Sequence, residues 1–264
     1  MIKLGGELLE TPERLAGLAR AVARAAREAP VVVVHGGGRE IDAALAAAGI
    51  PKTQVDGLRV TDAATLQVVV AVLAGSVNTR FVAAITAARA RAVGLTGADA
   101  SVAPVRKAPR HRTAGGARVD LGLVGQPIAG APPTLVRDLL AAGYTPVIAC
   151  VAADRRGRLF NVNADTLAAS LAARLAAARL VVAGATAGVL DAAGGTIPAL
   201  DQRGIASLIR GGGASAGMVA KLAACRAART GGVGDVVIVD GRDPARLLAA
   251  ARGRAVDAAT RITA

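Results

Sequence analysis

Short runs of Val, Ile and Leu alternate along the chain with Ala-rich stretches of helical period. The apolar runs at 2–4, 31–35, 92–95, 145–149, 180–182 and 236–240 read as strands. Most are continuous rather than alternating, as expected of strands covered on both faces. The stretches at 13–27, 40–48, 63–73, 78–89, 133–142, 165–178 and 218–229 read as helices. In the first, Leu15, Leu18, Val22 and Ala25 share one face, and Thr11-Pro12-Glu13 supplies an N-cap with proline in the first turn. This alternation predicts an α/β fold with a mainly parallel sheet. Asp56-Gly57 between short apolar flanks predicts a tight hairpin over 54–60. The Arg-rich stretch 106–124 reads as a second hairpin, and Asp154-Arg155-Arg156-Gly157 as a third turn.

Composition narrows the function. At 264 residues and 53% hydrophobic the chain can bury a sizeable core, which excludes intrinsic disorder. Phe81, Tyr144 and Phe160 are the only aromatics, so a nucleic-acid platform of stacked rings is excluded. The net charge of +13 comes from arginines spread over the whole sequence. The densest patch, Arg106, Lys107, Arg110, Arg112 and Arg118, reads as a solvated hairpin rather than a nucleic-acid site. Cys150 and Cys225 have no CxxC spacing, which fits a reduced cytoplasmic protein without a disulfide framework or zinc site. The start lacks the build of a signal peptide, and the apolar run 166–184 is broken by Arg174 and Arg179, so no membrane segment is expected.

The candidate chemistry repeats one design: a strand, then glycines or small polar residues, then a helix. In an open α/β sheet that design gathers ligands at the carboxyl ends of the strands, where free helix N–H groups favour anions. Lys3-Leu4-Gly5-Gly6 ends the first strand and His35-Gly36-Gly37-Gly38 ends the second. Neither a GxGxxG fingerprint nor a Gly-Lys phosphate loop is present. Arg59, two residues past the Asp-Gly tip, is suited to forking onto a carboxylate. Asn161-Val162-Asn163-Ala164-Asp165 enters a helix with more polar groups than capping needs. Lys221 follows Gly217 by one helical turn. Only four of the 32 basic residues are lysines, and two of them, Lys3 and Lys221, occupy glycine-flanked sites. A compact ammonium suits a moving phosphoryl group differently from a planar guanidinium. Residues 213–217 match GxSxG around Ser215, but the preceding run is Gly-rich and both His35 and His111 lie upstream, so a nucleophile elbow is excluded.

In order, KLGG at Lys3, VVHGGG to Gly38, GLRVTD from Gly57, GLTGADA from Gly94, VDLGLVG from Val119, NVNADTLA from Asn161, GMVAK from Gly217 and VDGR to Arg242 resemble the amino acid kinase family. The motifs span nearly the whole chain. The resemblance implies a three-layer αβα sandwich around a central, mainly parallel sheet. It implies two lobes: 1–175 for acceptor binding and dimerisation, and 176–264 for nucleotide. It further implies a cytoplasmic homodimer in arginine biosynthesis that uses ATP, with Mg2+ carried by the nucleotide, to phosphorylate the γ-carboxylate of N-acetyl-L-glutamate. No membrane or specific nucleic-acid partner and no protein-held metal are implied. Lys3 and Lys221 would stabilise the transferring group and Asp165 would orient them. Gly37, Gly38, Arg59, Asn161 and Asn163 would bind the acceptor. Lys3, Gly5, Gly6, Gly184, Gly217, Met218 and Lys221 would bind the nucleotide.

Two features depart from the family pattern. Ala185 stands where an aspartate is usual, which removes one nucleotide-lobe contact. The chain begins at strand one, without the extra N-terminal helix of arginine-inhibited members, which implies no arginine feedback. Two other readings keep the fold: a kinase acting on an α-aminoadipate derivative in lysine biosynthesis, which could be carrier-bound, and a non-catalytic ligand-binding relative.

Overall fold

The computed structural model describes residues 1–113, 115–212 and 215–263. The six predicted strands line up, with two more, in one eight-stranded sheet. In chain order its members are β1 (Ile2–Leu4), β2 (Val33–His35), β3 (Ala92–Thr96), β4 (Thr145–Ala149), β5 (Arg179–Gly184), β6 (Ala199–Leu200), β7 (Asp235–Asp240) and β8 (Ala259–Ile262). Across the sheet the order is β6-β8-β7-β5-β1-β2-β4-β3. Every neighbouring pair is parallel except β7 with β8. Strands from 1–175 fill one half of the sheet and strands from 176–264 the other, meeting where β1 pairs with β5. The chain leaves β1 towards opposite sides to form β2 and later β5. The carboxyl end of β1 is therefore the topological switch point, where a crevice opens.

The helices are α1 (Pro12–Ala26), α2 (Gly38–Ala47), α3 (Ala63–Val70), α4 (Asn78–Ala87), α5 (Thr134–Ala141), α6 (Ala164–Arg174), α7 (Gln202–Arg210), α8 (Ala216–Thr230) and α9 (Pro244–Ala251). Helices α6 and α8 pack together on one face of the sheet, and α1 packs with α4 and α9 on the other. The arrangement is the expected three-layer sandwich. The Thr11 hydroxyl accepts from the Arg14 N–H, so the predicted cap of α1 is in place.

Three differences from the sequence reading have physical causes. The stretches read as separate helices at 63–73 and 78–89 form one uninterrupted run, because a π-helical segment, Ala71–Val77, joins α3 to α4. Along this run Val69, Leu73, Val77, Phe81 and Ile85 are all buried. A four-residue repeat drifts by about 40° per step on an ideal α-helix. The wider π turn absorbs that drift and keeps the row on the core. Among the described residues this run, Ala63–Ala87, is the one helix long and apolar enough to cross a membrane; here its buried row is part of the core.

The second difference is in the Arg-rich stretch. Its ends belong to a four-stranded sheet, in the order Val151–Ala153, Leu159–Val162, Val124–Pro127, Val105–Lys107. Among the described residues, the strands His111–Arg112 and Arg118–Val119 pair as the hairpin itself; residue 114 lies outside them. Lys107 pairs with Asp120 at 2.7 Å and His111 with Asp56 at 2.8 Å. The third difference is at the C-terminal end, where α7, α9 and the antiparallel β8 go beyond what the apolar pattern announced. Both cysteines are free and buried.

Candidate active site at the carboxyl edge of the sheet

Lys3 is the second residue of β1, directed to the face that α6 and α8 cover. A cation at that depth is costly unless an anion meets it. Asp165, in the first turn of α6, meets it: Lys3 Nζ lies 2.9 Å from Asp165 Oδ1, with Lys3 5% and Asp165 8% exposed. Lys221, on α8, brings its Nζ to 3.8 Å from the same oxygen. The shared oxygen is itself shut off from solvent, so the two ammonium groups supply its neutralisation. Two cations thus share one carboxylate oxygen, one from each end of the sequence.

The cluster orders its own protonation. Burial alone would raise the Asp165 carboxyl, but the charges of Lys3 and then Lys221 carry it below the ordinary value. Burial would lower the Lys3 ammonium, but the charge of Asp165, the hydrogen bond to it and the charge of Glu7 together outweigh burial and hold Lys3 above its ordinary value. Lys221 gains less from Asp165. Burial, then the like charge of Lys3, pushes it below 10.5. Lys221 is therefore the ammonium that loses its proton first as pH rises. In the free protein kcat/KM for the donor is expected to fall on the alkaline side with an apparent pKa below 10.5, and a kcat/KM–pH profile that stays flat through that region would refute a charged Lys221 in donor capture.

Glycines close the site around these charges. Gly5 N–H donates to Ala183 O at 2.9 Å and Gly36 N–H to Leu4 O at 3.2 Å, so the loops after β1, β2 and β5 are tied together. A Cβ on Gly6 would fall 2.6 Å from Gly37 N and 2.8 Å from Gly38 N. Backbone meets backbone there, and only glycine allows it. Helix α2 starts at Gly38 with no side-chain cap, leaving first-turn N–H groups for an anion. A Cβ on Gly184 would lie 3.6 Å from Lys221 Nζ, so the end of β5 faces the second ammonium. Gly217 and Met218 stand in the first turn of α8, one turn before Lys221. The Met218 N–H donates to Ser215 Oγ at 3.4 Å, so Ser215 is a cap rather than a nucleophile. Residues 213 and 214 of the GxSxG stretch lie outside the described residues.

Next to the glycines is a cleft of about 200 Å³ whose lining includes Gly37, Gly38, Arg59, Asn161, Asn163 and Cys150. The five residues assigned to the acceptor from sequence therefore converge on one space. Arg59 is only 9% exposed at its side chain. Its Nη2 donates to Gly38 O at 3.3 Å and contacts Asp42 Oδ1, while Nη1 is buried with no partner. Asp42, one turn into α2, is held on its other oxygen by Lys52 Nζ at 2.7 Å. Asn161 Nδ2 donates to Thr61 Oγ1 at 3.1 Å, and Asn163 Oδ1 accepts from the Thr166 N–H at 3.0 Å as the cap of α6.

Thr61 links two distant motifs. Its N–H donates to Leu121 O at 2.9 Å, and its carbonyl accepts from Leu123 N–H at 2.6 Å. Gly122 between them has φ +75°, and a Cβ there would collide with Thr61 O. Asp42, Lys52 and Thr61 were not singled out from sequence. Asp42 carries a signal in hindsight, one helical turn past the glycine loop, but its partner arrives from a hairpin 17 positions on.

His35 stands apart from the lysine cluster. It is fully buried on the face opposite Lys3, burial drives its imidazole down to about 4, and Nδ1 faces Gly36 O at 3.0 Å. Burial likewise pushes the Cys150 and Cys225 thiols up to about 12, so neither is a nucleophile near neutrality. A buried lysine pair over glycine loops, beside a cleft with an unpaired guanidinium nitrogen, can neutralise a polyanion and orient a carboxylate.

Residues 1–240 match the model of the amino acid kinase family. The chain is 41% identical over 254 residues to acetylglutamate kinase of Sphingopyxis alaskensis, covering 94% of this chain and 83% of that one. It is 38% identical over 252 residues to the chloroplastic acetylglutamate kinase of Arabidopsis thaliana, covering 94% and 70%. Among solved structures, N-acetylglutamate synthase from Neisseria gonorrhoeae, complexed with coenzyme A and N-acetyl-glutamate, superposes with a TM-score of 0.84 at 25% identity. All of this chain is covered there, but it spans only 58% of that longer protein. Carbamate kinase from Giardia lamblia bound to AMP-PNP shares the fold, with a TM-score of 0.67 at 14% identity over 99% of this chain and 96% of that one.

Proposed function

The chain belongs to the amino acid kinase family, and from that premise we infer how its site carries out the ATP-dependent phosphorylation of N-acetyl-L-glutamate in arginine biosynthesis. The observation that carries the reading is the convergence of Lys3 and Lys221 on Asp165 beside the cleft of Arg59 and Asn161.

The acceptor γ-carboxylate is ionised at pH 7, so its oxygen can attack the γ-phosphorus of ATP without a general base. The new O–P bond forms as the bond to the β-γ bridging oxygen breaks, giving ADP and an acyl phosphate. Such a transfer needs two anions placed in line and the charge on the moving group neutralised. Lys3 and Lys221 supply two positive charges, and the N–H groups at Gly37 and Gly38 supply oriented dipoles. Asp165 keeps both ammoniums in place before the donor arrives. The free Nη1 of Arg59 is available to an acceptor carboxylate, its fork fixed by Asp42. Asn161 and Asn163 line the acceptor wall, and Gly5, Gly6, Gly184, Gly217 and Met218 border the donor side.

Magnesium belongs to the proposal as a companion of the donor. Among the described residues no group of three His, Cys, Asp or Glu side chains could hold a metal. Its ligands would then be phosphate oxygens and water, and it would neutralise phosphate charge. We also propose a cytoplasmic homodimer, with residues 1–175 carrying the acceptor site and the dimer surface and 176–264 the nucleotide.

A coupled ADP-release assay tests the reading with three samples: N-acetyl-L-glutamate, α-aminoadipate derivatives, and no acceptor. Release that depends on N-acetyl-L-glutamate is expected. Preference for the longer aminoadipate chain would transfer the assignment to that substrate, and no acceptor-dependent release would indicate a non-catalytic relative.

A further inference from the structure

Glu7 was not singled out as a functional residue, yet its carboxylate sits among the charges of the donor side. The residue lies in the short 3-10 turn Gly6–Leu8 directly after β1, and its side chain folds back over Gly5, where a Cβ would collide with it. Its Oε1 accepts from the Ala185 N–H at 3.2 Å, across the junction between the two halves of the sheet. A Cβ built on Gly184 would lie 3.4 Å from this oxygen and 3.6 Å from Lys221 Nζ. The Glu7 carboxylate and the Lys221 ammonium therefore lie over the same glycine. The charge of Glu7 reaches both Lys3 and Lys221.

An anion held by a backbone N–H, against bare glycine backbone and beside an ammonium, has the surroundings that a phosphate oxygen takes at a strand-loop-helix site. Counted with Asp165, it brings the four-charge cluster Lys3, Lys221, Asp165 and Glu7 to zero. A site of zero net charge is poorly set to draw in a polyanionic donor. We propose that the Glu7 carboxylate is a resident anion in the phosphate seat of the nucleotide, that the donor displaces it on binding, and that position 7 thereby sets donor affinity. This inference rests on the assignment of the donor side to nucleotide given above.

The test is calorimetric titration of ADP, with and without Mg2+, into wild-type protein and Glu7→Gln. The amide keeps the size of the side chain and an oxygen for the Ala185 N–H, and it removes only the charge. The variant is expected to bind ADP more tightly in both conditions, by about tenfold without Mg2+ and by less with it, as removal of one near like charge predicts. Unchanged affinity in a variant that melts at the wild-type temperature would overturn the inference. So would weakened binding confined to the magnesium form, which would make Glu7 part of the metal's surroundings. Wild-type protein that binds no ADP at all would instead remove the donor assignment itself, and the inference with it.

Discussion

Replacing Lys221 by alanine is expected to lower kcat roughly 100- to 1,000-fold, the usual cost of removing one preorganised group that stabilises transition-state charge. The acceptor's KM should change little, because Arg59 and its Asp42 support lie on other elements. Folding should be retained. The buried pair Lys3–Asp165 at 2.9 Å survives the substitution, so no buried charge is left alone. Steady-state kinetics with circular dichroism on the same preparation checks both halves. Turnover within about threefold of wild type in a folded variant would remove Lys221 from the reacting group.

Replacing Asp165 by alanine is expected to damage stability as much as activity. The substitution leaves two ammonium groups facing each other in a site where both side chains are nearly inaccessible. Removing one member of a buried charge cluster costs about 3–5 kcal/mol, which for a chain of this size lowers Tm by roughly 10 °C. Its pH dependence has a defined sign. The folded-state carboxyl sits below its ordinary value of 3.8. The contribution is therefore complete above that value and lost as pH falls through the lowered one. Wild type should lose stability towards acid more steeply than Asp165→Ala. Changing all three residues together, Lys3→Met, Asp165→Leu and Lys221→Met, should recover most of the stability and none of the activity, since a buried charge cluster seldom stabilises more than apolar packing of similar volume. Thermal melts from pH 3 to 8 on these variants decide the matter. Equal melting temperatures for wild type and Asp165→Ala would contradict the charge geometry described here.

Much of the site was legible in the sequence because its parts are local. A lysine inside an apolar strand, glycines at two strand ends and a polar run before a helix each announce an anion site within a few residues. What escaped depends on contacts between distant segments. The Asp42 that fixes Arg59 and the Thr61 that joins two motifs are set by hairpins folding over one another. Glu7 lies beside a recognised motif, but its contact is with Ala185, 178 positions away.

The fold shows the same division. Strands buried on both faces are visible as continuous apolar runs, and six of the eight in the main sheet were readable. Strand β6 has two residues, and β8 carries the polar Thr260 and Arg261 within its span, so neither makes such a run. Helix α9 starts with Asp243 as cap and Pro244 in the first turn, the same kind of signal that was read correctly at Thr11-Pro12. Here the signal was present and the short, Ala-rich body obscured it. The run through residues 63–87 reads as two helices because Gly75 and Ser76, poor helix formers, stand in the gap between them, and the π segment carries the chain through that gap with one face buried.

The most direct measurement is a crystal structure with a non-hydrolysable ATP analogue and N-acetyl-L-glutamate bound together. The account predicts that Lys3 Nζ and Lys221 Nζ both reach hydrogen-bond distance of the terminal phosphoryl group, with the acceptor's γ-carboxylate opposite the bridging oxygen and Gly37 and Gly38 beside it. A complex with the phosphate tail on another face of the sheet, or with either ammonium still on Asp165 and out of reach of the phosphates, would contradict it.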